Sequence, residues 1–353
     1  MANLGSARPP RLQLNPPLLN SATPWATSLK DLQKLYSCPH TGAVTTRTSL
    51  IKGFDHNPEV HQYALYDTVA VPAALPRGTS NASFNSLGYS PHTLAEYLAW
   101  IKTAVSTAPA PRPGKAFIVS ITGTPREVAE CYSMVAAAQL DIAAPLAVEL
   151  NLSCPNIPDK PPPAYDGPSI LEYIEWILEP RQQDLPRVAL GIKTPPYTYS
   201  TQYSTLVSAL IASASRSPDG VCPVSFITST NTLGSCLMLS SIGSGGGGGG
   251  DGGSGQNHQH HAAVLPLSGI GGMAGTPLHP LSLGNVATIR RMLDEHPDML
   301  GHVQVVGVGG VCDSGGYRRM RSVGADAVAV GTGLGVKGIK VFEEIARDVE
   351  GAW

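Results

Sequence analysis

The stretch LAVELNLSCPNIPDKPPPAY, residues 146–165, opens as a strand-length apolar run and closes in groups that a core does not need. A strand that only fills an interior ends in ordinary turn residues. Here Leu146 to Ser153 ends in an Asn-x-x-Cys-Pro-Asn cluster, Asn151, Cys154 and Asn156, and the stretch holds five prolines, Pro155 of the cluster among them. Two carboxamides and a thiol at one strand exit are aimed at a ligand.

Outward from that stretch, seven more short runs with strand character recur: Gly42 to Thr48, Ala82 to Leu87, Ala116 to Thr122, Val188 to Lys193, Val224 to Asn231, Val303 to Gly310 and Asp326 to Thr332. Helical signals lie between them, at Ser90 to Thr103, Pro125 to Leu140, Ser169 to Leu178, Leu281 to His296 and Lys337 to Val349, with Thr124 before Pro125 reading as a cap. Strands alternating with helices pair in parallel, and eight such units close into a (β/α)8 barrel, the TIM-barrel form of an α/β fold. An open doubly wound sheet would want a GxGxxG after its first strand, which is absent. Length agrees with one domain over 1–353, since barrels of this kind exceed 200 residues as single units. The tract GSGGGGGGDGGSGQNHQHH, 243–261, cannot bury apolar surface and reads as a disordered surface insertion. Its histidines, His258, His260 and His261, have no fixed geometry for a metal, and no metal is expected.

The formal net charge is −2 and charged residues are 14% of the chain, so no basic field invites nucleic acid or anionic lipid. Met1 to Asn20 lacks an apolar core of a signal peptide, and no apolar run approaches the length of a membrane span. A soluble, cytoplasmic protein acting on small molecules is expected. The six cysteines lack CxxC pairing and zinc spacing, which argues against a disulfide framework or an iron–sulfur site.

In such a barrel the chemistry sits at the carboxyl ends of the strands. Those ends carry Arg47 and Thr48, Asn85, Asn151, Cys154 and Asn156, Lys193, and Asn231 with Thr232. A lone Asn commonly caps a helix and a lone Lys sits in water; several amides with a lysine and an arginine at one mouth suit a planar ring whose edge alternates N–H and C=O, a pyrimidine or a flavin. VVGVGGV (305–311, with Gly309 and Gly310) and AVGTGL (329–334, with Gly331 and Thr332) form glycine loops after the last two strands, the recurrent phosphate site of these barrels, and SGIGG (268–272, with Gly271 and Gly272) offers a third run of amides. Cys154 in a loop between amides is a candidate proton acceptor. Lys193 reads either as a cation beside a flavin or as a Schiff-base amine; the cysteine and amides favour the flavin.

At these residues the chain resembles the class 1A dihydroorotate dehydrogenases. The similarity runs from NSATPW (20–25) to the final helix, through NSLG (85–88), ELNLSCPNIPDKPPPAYD, the GIK-x-PPY pattern of Gly191 to Tyr197, SGIGG and GVGGV. The resemblance implies a barrel holding FMN, oxidation of (S)-dihydroorotate to orotate with fumarate as electron acceptor, a role in pyrimidine biosynthesis, and a homodimer. It implies Cys154 as the base; Asn85, Leu87, Gly88, Tyr89, Asn151, Asn156, Asn231 and Thr232 around orotate, the segment Leu87 to Tyr89 through its amides; and Ser21, Ala22, Arg47, Thr48, Lys193, Gly271, Gly272, Gly309, Gly310, Gly331 and Thr332 around the flavin. Arg47 stands where this class has lysine, Thr23 and Asp159 where it has glycine, and Thr232 where it has serine. Two other readings stay open: a related flavin-dependent dihydropyrimidine oxidoreductase with another acceptor, and a barrel that has lost catalysis.

Overall fold

The computed structural model describes residues 8–68, 80–110, 112–154, 162–178, 185–240, 262–349 and 353. Eight strands, all parallel, close a barrel: β1 (Leu18–Asn20), β2 (Ala43–Thr45), β5 (Ala116–Ile121), β6 (Leu146–Asn151), β7 (Ala189–Thr194), β8 (Phe226–Ser229), β13 (Gln304–Val308) and β14 (Ala327–Val330), with β1 sealed between β14 and β2. The remaining strands are β3 (Tyr63–Tyr66), β4 (Ala82–Asn85), β9 (Leu233–Leu237), β10 (Leu239–Ser240), β11 (Ala262–Ala263) and β12 (Ile270–Gly275). Helices α1 (Leu29–Ser37), α2 (Leu94–Ser106), α3 (Pro125–Ala138), α4 (Gly167–Leu178), α5 (Ser200–Arg216), α6 (His279–Asp294), α7 (Pro297–Leu300), α8 (Ser314–Ser322), α9 (Thr332–Lys337) and α10 (Lys340–Asp348) complete the fold. The insertion 243–261 lies outside the described residues.

The expected strand count is right, but one strand is exchanged. Ala82–Leu87 is not in the barrel: β4 pairs antiparallel with β3 and β12 in a separate four-stranded sheet, β3-β4-β12-β9, tied to the barrel's last loop by a Ser83 Oγ to Thr332 Oγ1 hydrogen bond of 2.8 Å. The missing barrel strand is Leu18–Asn20, three residues without a β-branched side chain. Its pairing with Val328–Val330 and Ala43 makes it a strand; its own propensity does not.

Capping explains the helix starts. Ser28 with Asp31, Thr93 with Glu96 and Thr124 with Glu127 each form a reciprocal capping box, so the expected start at Ser90 moves to Leu94. Gly338, at φ +64°, divides the expected Lys337–Val349 helix into α9 and α10. Helix α5 is rich in serine and threonine, which compete with helical hydrogen bonding, and it is held by Leu206, Val207 and Leu210 buried against the core.

Two-residue alternation divides each barrel strand. Val148 and Leu150 of β6 face the helices; Ala147, Glu149 and Asn151 face inward, as do Ala189, Gly191 and Lys193 of β7. The inward face is therefore apolar at its amino-terminal end and polar at its carboxyl end. The lower half is filled by Phe226, fully buried, which leaves no room opposite: a Cβ built on Gly191 would lie 2.2 Å from the Phe226 ring. Gly191→Ala is expected to lower stability by about 1–3 kcal/mol through overpacking, and Phe226→Leu in the same chain to recover part of it. Urea unfolding checks this; an unchanged midpoint for Gly191→Ala contradicts it.

Candidate active site

A cavity of about 990 Å³, open to solvent, lies over the carboxyl ends of the barrel strands beneath the β4–β12 sheet. It brings together nearly every expected residue: Ser21 and Ala22 after β1, Arg47 and Thr48 after β2, Asn151 and Cys154 of the β6 exit, Lys193 on β7, Asn231 and Thr232 after β8, Gly309 and Gly310 after β13, and Gly331 and Thr332 after β14. Asn85, Leu87, Gly88 and Tyr89 reach it from the antiparallel sheet. Gly271 and Gly272 do not line it. They sit one layer behind, on β12, where Gly272 pairs with Asn85 and a Cβ would meet Thr232 Oγ1 at 2.4 Å. Gly275, two residues beyond Met273 on the same strand, lines the cavity in their place. Asn156 lies outside the described residues.

A directed chain of hydrogen bonds orients the carboxamides. Ser120 Oγ on β5 donates to Glu149 Oε1 (3.0 Å), so Thr48 Oγ1 donates to Ser120 Oγ (2.9 Å) and accepts from Asn151 Nδ2 (3.1 Å). Asn151 Oδ1 then accepts from Ser153 Oγ (2.9 Å) and Ser153 N (3.1 Å), and Asn231 Nδ2 donates to Ser153 Oγ (3.0 Å). Asn231 Oδ1 accepts from Thr232 N (2.8 Å) and Asn85 Oδ1 from Leu87 N (3.2 Å). Each carboxamide is thus held at both ends, since Asn85 Nδ2 likewise donates to the Gly272 carbonyl (3.2 Å). Oriented amides suit a ring whose edge bears both donors and acceptors. The sequence shows the amides but not how they are held.

Lys193, only 3% exposed, makes one hydrogen bond among the described residues, to Ser21 Oγ at 3.3 Å. A buried ammonium with one neutral partner is under-satisfied, and the hydroxyl of Thr23, also on the wall, is buried without a partner among the described residues. Both fit a polar heterocycle in the cavity. Arg47, also buried, donates from Nη2 to the Gly88 carbonyl (3.2 Å); burial lowers its pKa, opposed by Tyr97 and Cys154.

The glycine loops are tight. Gly310 has φ +69°, and a Cβ there would lie 2.5 Å from that of His279. His279 Nδ1 donates to the Gly309 carbonyl (2.7 Å) while Nε2 accepts from Arg319 Nε (3.1 Å), an arrangement that requires the neutral ring. Ser83, Trp25 and Tyr63 on the wall were not among the expected residues. Ser83 is legible as the partner of Asn85 two residues along one strand face; the edge-to-face Trp25–Tyr63 pair, centroids 5.6 Å apart, depends on the unforeseen sheet.

The model of the family described as dihydroorotate dehydrogenase matches residues 73–352. The chain belongs to the dihydroorotate dehydrogenase family. Its curated relatives include the dihydroorotate dehydrogenase (fumarate) of Saccharomyces cerevisiae, 24% identical over 95% of this chain and 88% of that one, and that of Lachancea kluyveri, with the same identity and coverage. The putative dihydroorotate dehydrogenase A (fumarate) of Streptococcus pyogenes is 23% identical over 94% of this chain and 88% of its own.

Dihydroorotate dehydrogenases are flavin-dependent, and the glycine loops, Lys193 and Thr23 offer polar groups that fit such a cofactor. Gly310→Ala puts a side chain at positive φ and against His279, a strain of roughly 1–2 kcal/mol, and is expected to weaken flavin binding about tenfold. Flavin fluorescence titration of the apoprotein measures it; wild-type affinity contradicts the assignment.

Proposed function

We propose that this chain oxidises (S)-dihydroorotate to orotate with FMN as cofactor and fumarate as electron acceptor, in pyrimidine biosynthesis. The observation that carries the reading is one cavity in which a thiol, three oriented carboxamides and an under-satisfied lysine converge with two glycine loops. The names of the yeast and streptococcal relatives agree with it.

When bound, FMN supplies the two-electron acceptor for the hydride that leaves C6. Gly309, Gly310, Gly331 and Thr332 hold its phosphate, Ser21 and Ala22 lie along its ring, and Arg47, Thr48 and Lys193 contact its polar edge. Asn85, Asn151, Asn231, Thr232 and the Leu87–Tyr89 amides hold orotate by its oxygens, and Asn156 joins them in this assignment. So held, the substrate presents C5 to Cys154, whose thiolate takes the proton. The sheet over the mouth limits water at the reacting carbons. Because one cavity serves both half-reactions, orotate leaves before fumarate enters.

Among the described residues no helix is long and apolar enough to cross a membrane, in keeping with a cytoplasmic enzyme. Exposed Leu237, Leu239, Leu267 and Ile270 gather where β9 and β12 pair, a patch that supports a homodimer. Sedimentation equilibrium giving the mass of one chain contradicts that assignment.

Anaerobic mixing tests the reaction. Dihydroorotate bleaches the flavin spectrum and fumarate restores it; a spectrum unchanged by dihydroorotate overturns the reading. Cys154→Ala keeps the colour and slows reduction by roughly two to four powers of ten, whereas near-normal reduction means another group is the base.

A further inference from the structure

The glycine turn after β13 lines the cavity through Gly309 and Gly310, while the buried imidazole of His279, on α6, packs behind that turn and does not line the cavity. Contact at the back is close. A Cβ on Gly309 would lie 1.9 Å from Ser282 Oγ, and one on Gly310 2.5 Å from the His279 Cβ, so α6 sits directly against the main chain. His279 Nδ1 donates to the Gly309 carbonyl at 2.7 Å, and Arg319 Nε, from α8, donates to His279 Nε2 at 3.1 Å. The guanidinium occupies the ring's one acceptor and thereby keeps its one proton on Nδ1.

A planar trans peptide points its C=O and its N–H in opposite directions. With the Gly309 carbonyl drawn toward α6, the N–H of the same peptide, that of Gly310, points away from the helix and toward the cavity. Among the described residues this N–H has no hydrogen-bond partner, which leaves an open donor on the wall.

We infer that His279 is a positioning residue for the cofactor's phosphate: by holding the Gly309 carbonyl outward, with Arg319 fixing the tautomer, it aims the Gly310 N–H at a phosphate oxygen. The inference rests on the reading that this turn holds the phosphate of FMN. Without the grip of His279 the peptide is free to turn its carbonyl oxygen toward the anion, which repels it. The loss is specific to the phosphate, because the groups offered to the flavin ring, Lys193 and Thr23, lie on other strand exits.

Two amides separate the roles of the ring's two nitrogens. His279→Asn places an N–H at the reach of Nδ1 and still donates to Gly309; His279→Gln places its amide at the reach of Nε2, meets Arg319 and leaves the Gly309 carbonyl free. Flavin-loaded wild type and variants are equilibrated with mixtures of FMN and riboflavin, which lacks only the phosphate, and the ratio retained on the protein after rapid gel filtration is measured. Wild type and His279→Asn prefer FMN; in His279→Gln that preference falls by about tenfold or more, the worth of a hydrogen bond to a charged group. A role in packing alone gives the two variants the same ratio, and equal ratios, or a wild-type ratio in His279→Gln, overturn the inference. Wild type that retains both flavins equally overturns instead the placing of the phosphate at this turn, and the inference falls with it.

Discussion

A carboxyl group buried inside the barrel, Glu149 at 2% exposure, sets the direction of the hydrogen-bond chain that leads to Asn151 and Asn231 in the candidate site. Because a carboxylate only accepts, Ser120 must donate to it, and the donors then follow one another outward through Thr48, Asn151, Ser153 and Asn231. Reversing any member would leave a buried polar atom unpaired, a cost of roughly 1–3 kcal/mol. The chain ends at the Asn231 carboxamide on the cavity wall, so the orientation of Asn151 and Asn231 is fixed from within the barrel.

The division of the inward face makes this possible. Small residues and Phe226 pack the lower half tightly, so the upper half can carry Glu149, Asn151 and Lys193 without exposing the core. Above it, the β3-β4-β12-β9 sheet closes part of the mouth and brings Asn85 and Tyr89 to the cavity. The first of the glycine loops is held in turn by His279, which donates to the Gly309 carbonyl and accepts from Arg319. Membership in the dihydroorotate dehydrogenase family fits a fold whose rigid strands carry the polar groups and whose loops carry the glycines.

Much of this was legible because chemistry and periodicity coincide. The exits of β6, β7 and β8 show amides, a thiol and a lysine at strand ends, and the cavity gathers them. What stayed hidden was non-local. Leu18–Asn20 is a strand only through neighbours more than 300 residues away on one side, and Ala82–Leu87 has strand character but gives no sign of which sheet it joins. That second difference concealed Tyr63, while the SGIGG motif pointed to Gly271 and Gly272 where Gly275 lines the cavity. The His279–Arg319 pair depends on side-chain directions that spacing along the chain does not determine.

The central claim is that the barrel presents oriented carboxamides and the Cys154 sulfur to one pyrimidine ring. A high-resolution crystal structure of the flavin-loaded protein with orotate tests it most directly. The account predicts the carboxamides of Asn85, Asn151 and Asn231 against the polar edge of orotate, with Cys154 Sγ the nearest ionisable atom to C5. Orotate bound with C5 turned away from that sulfur, or out of reach of the three carboxamides, would contradict it.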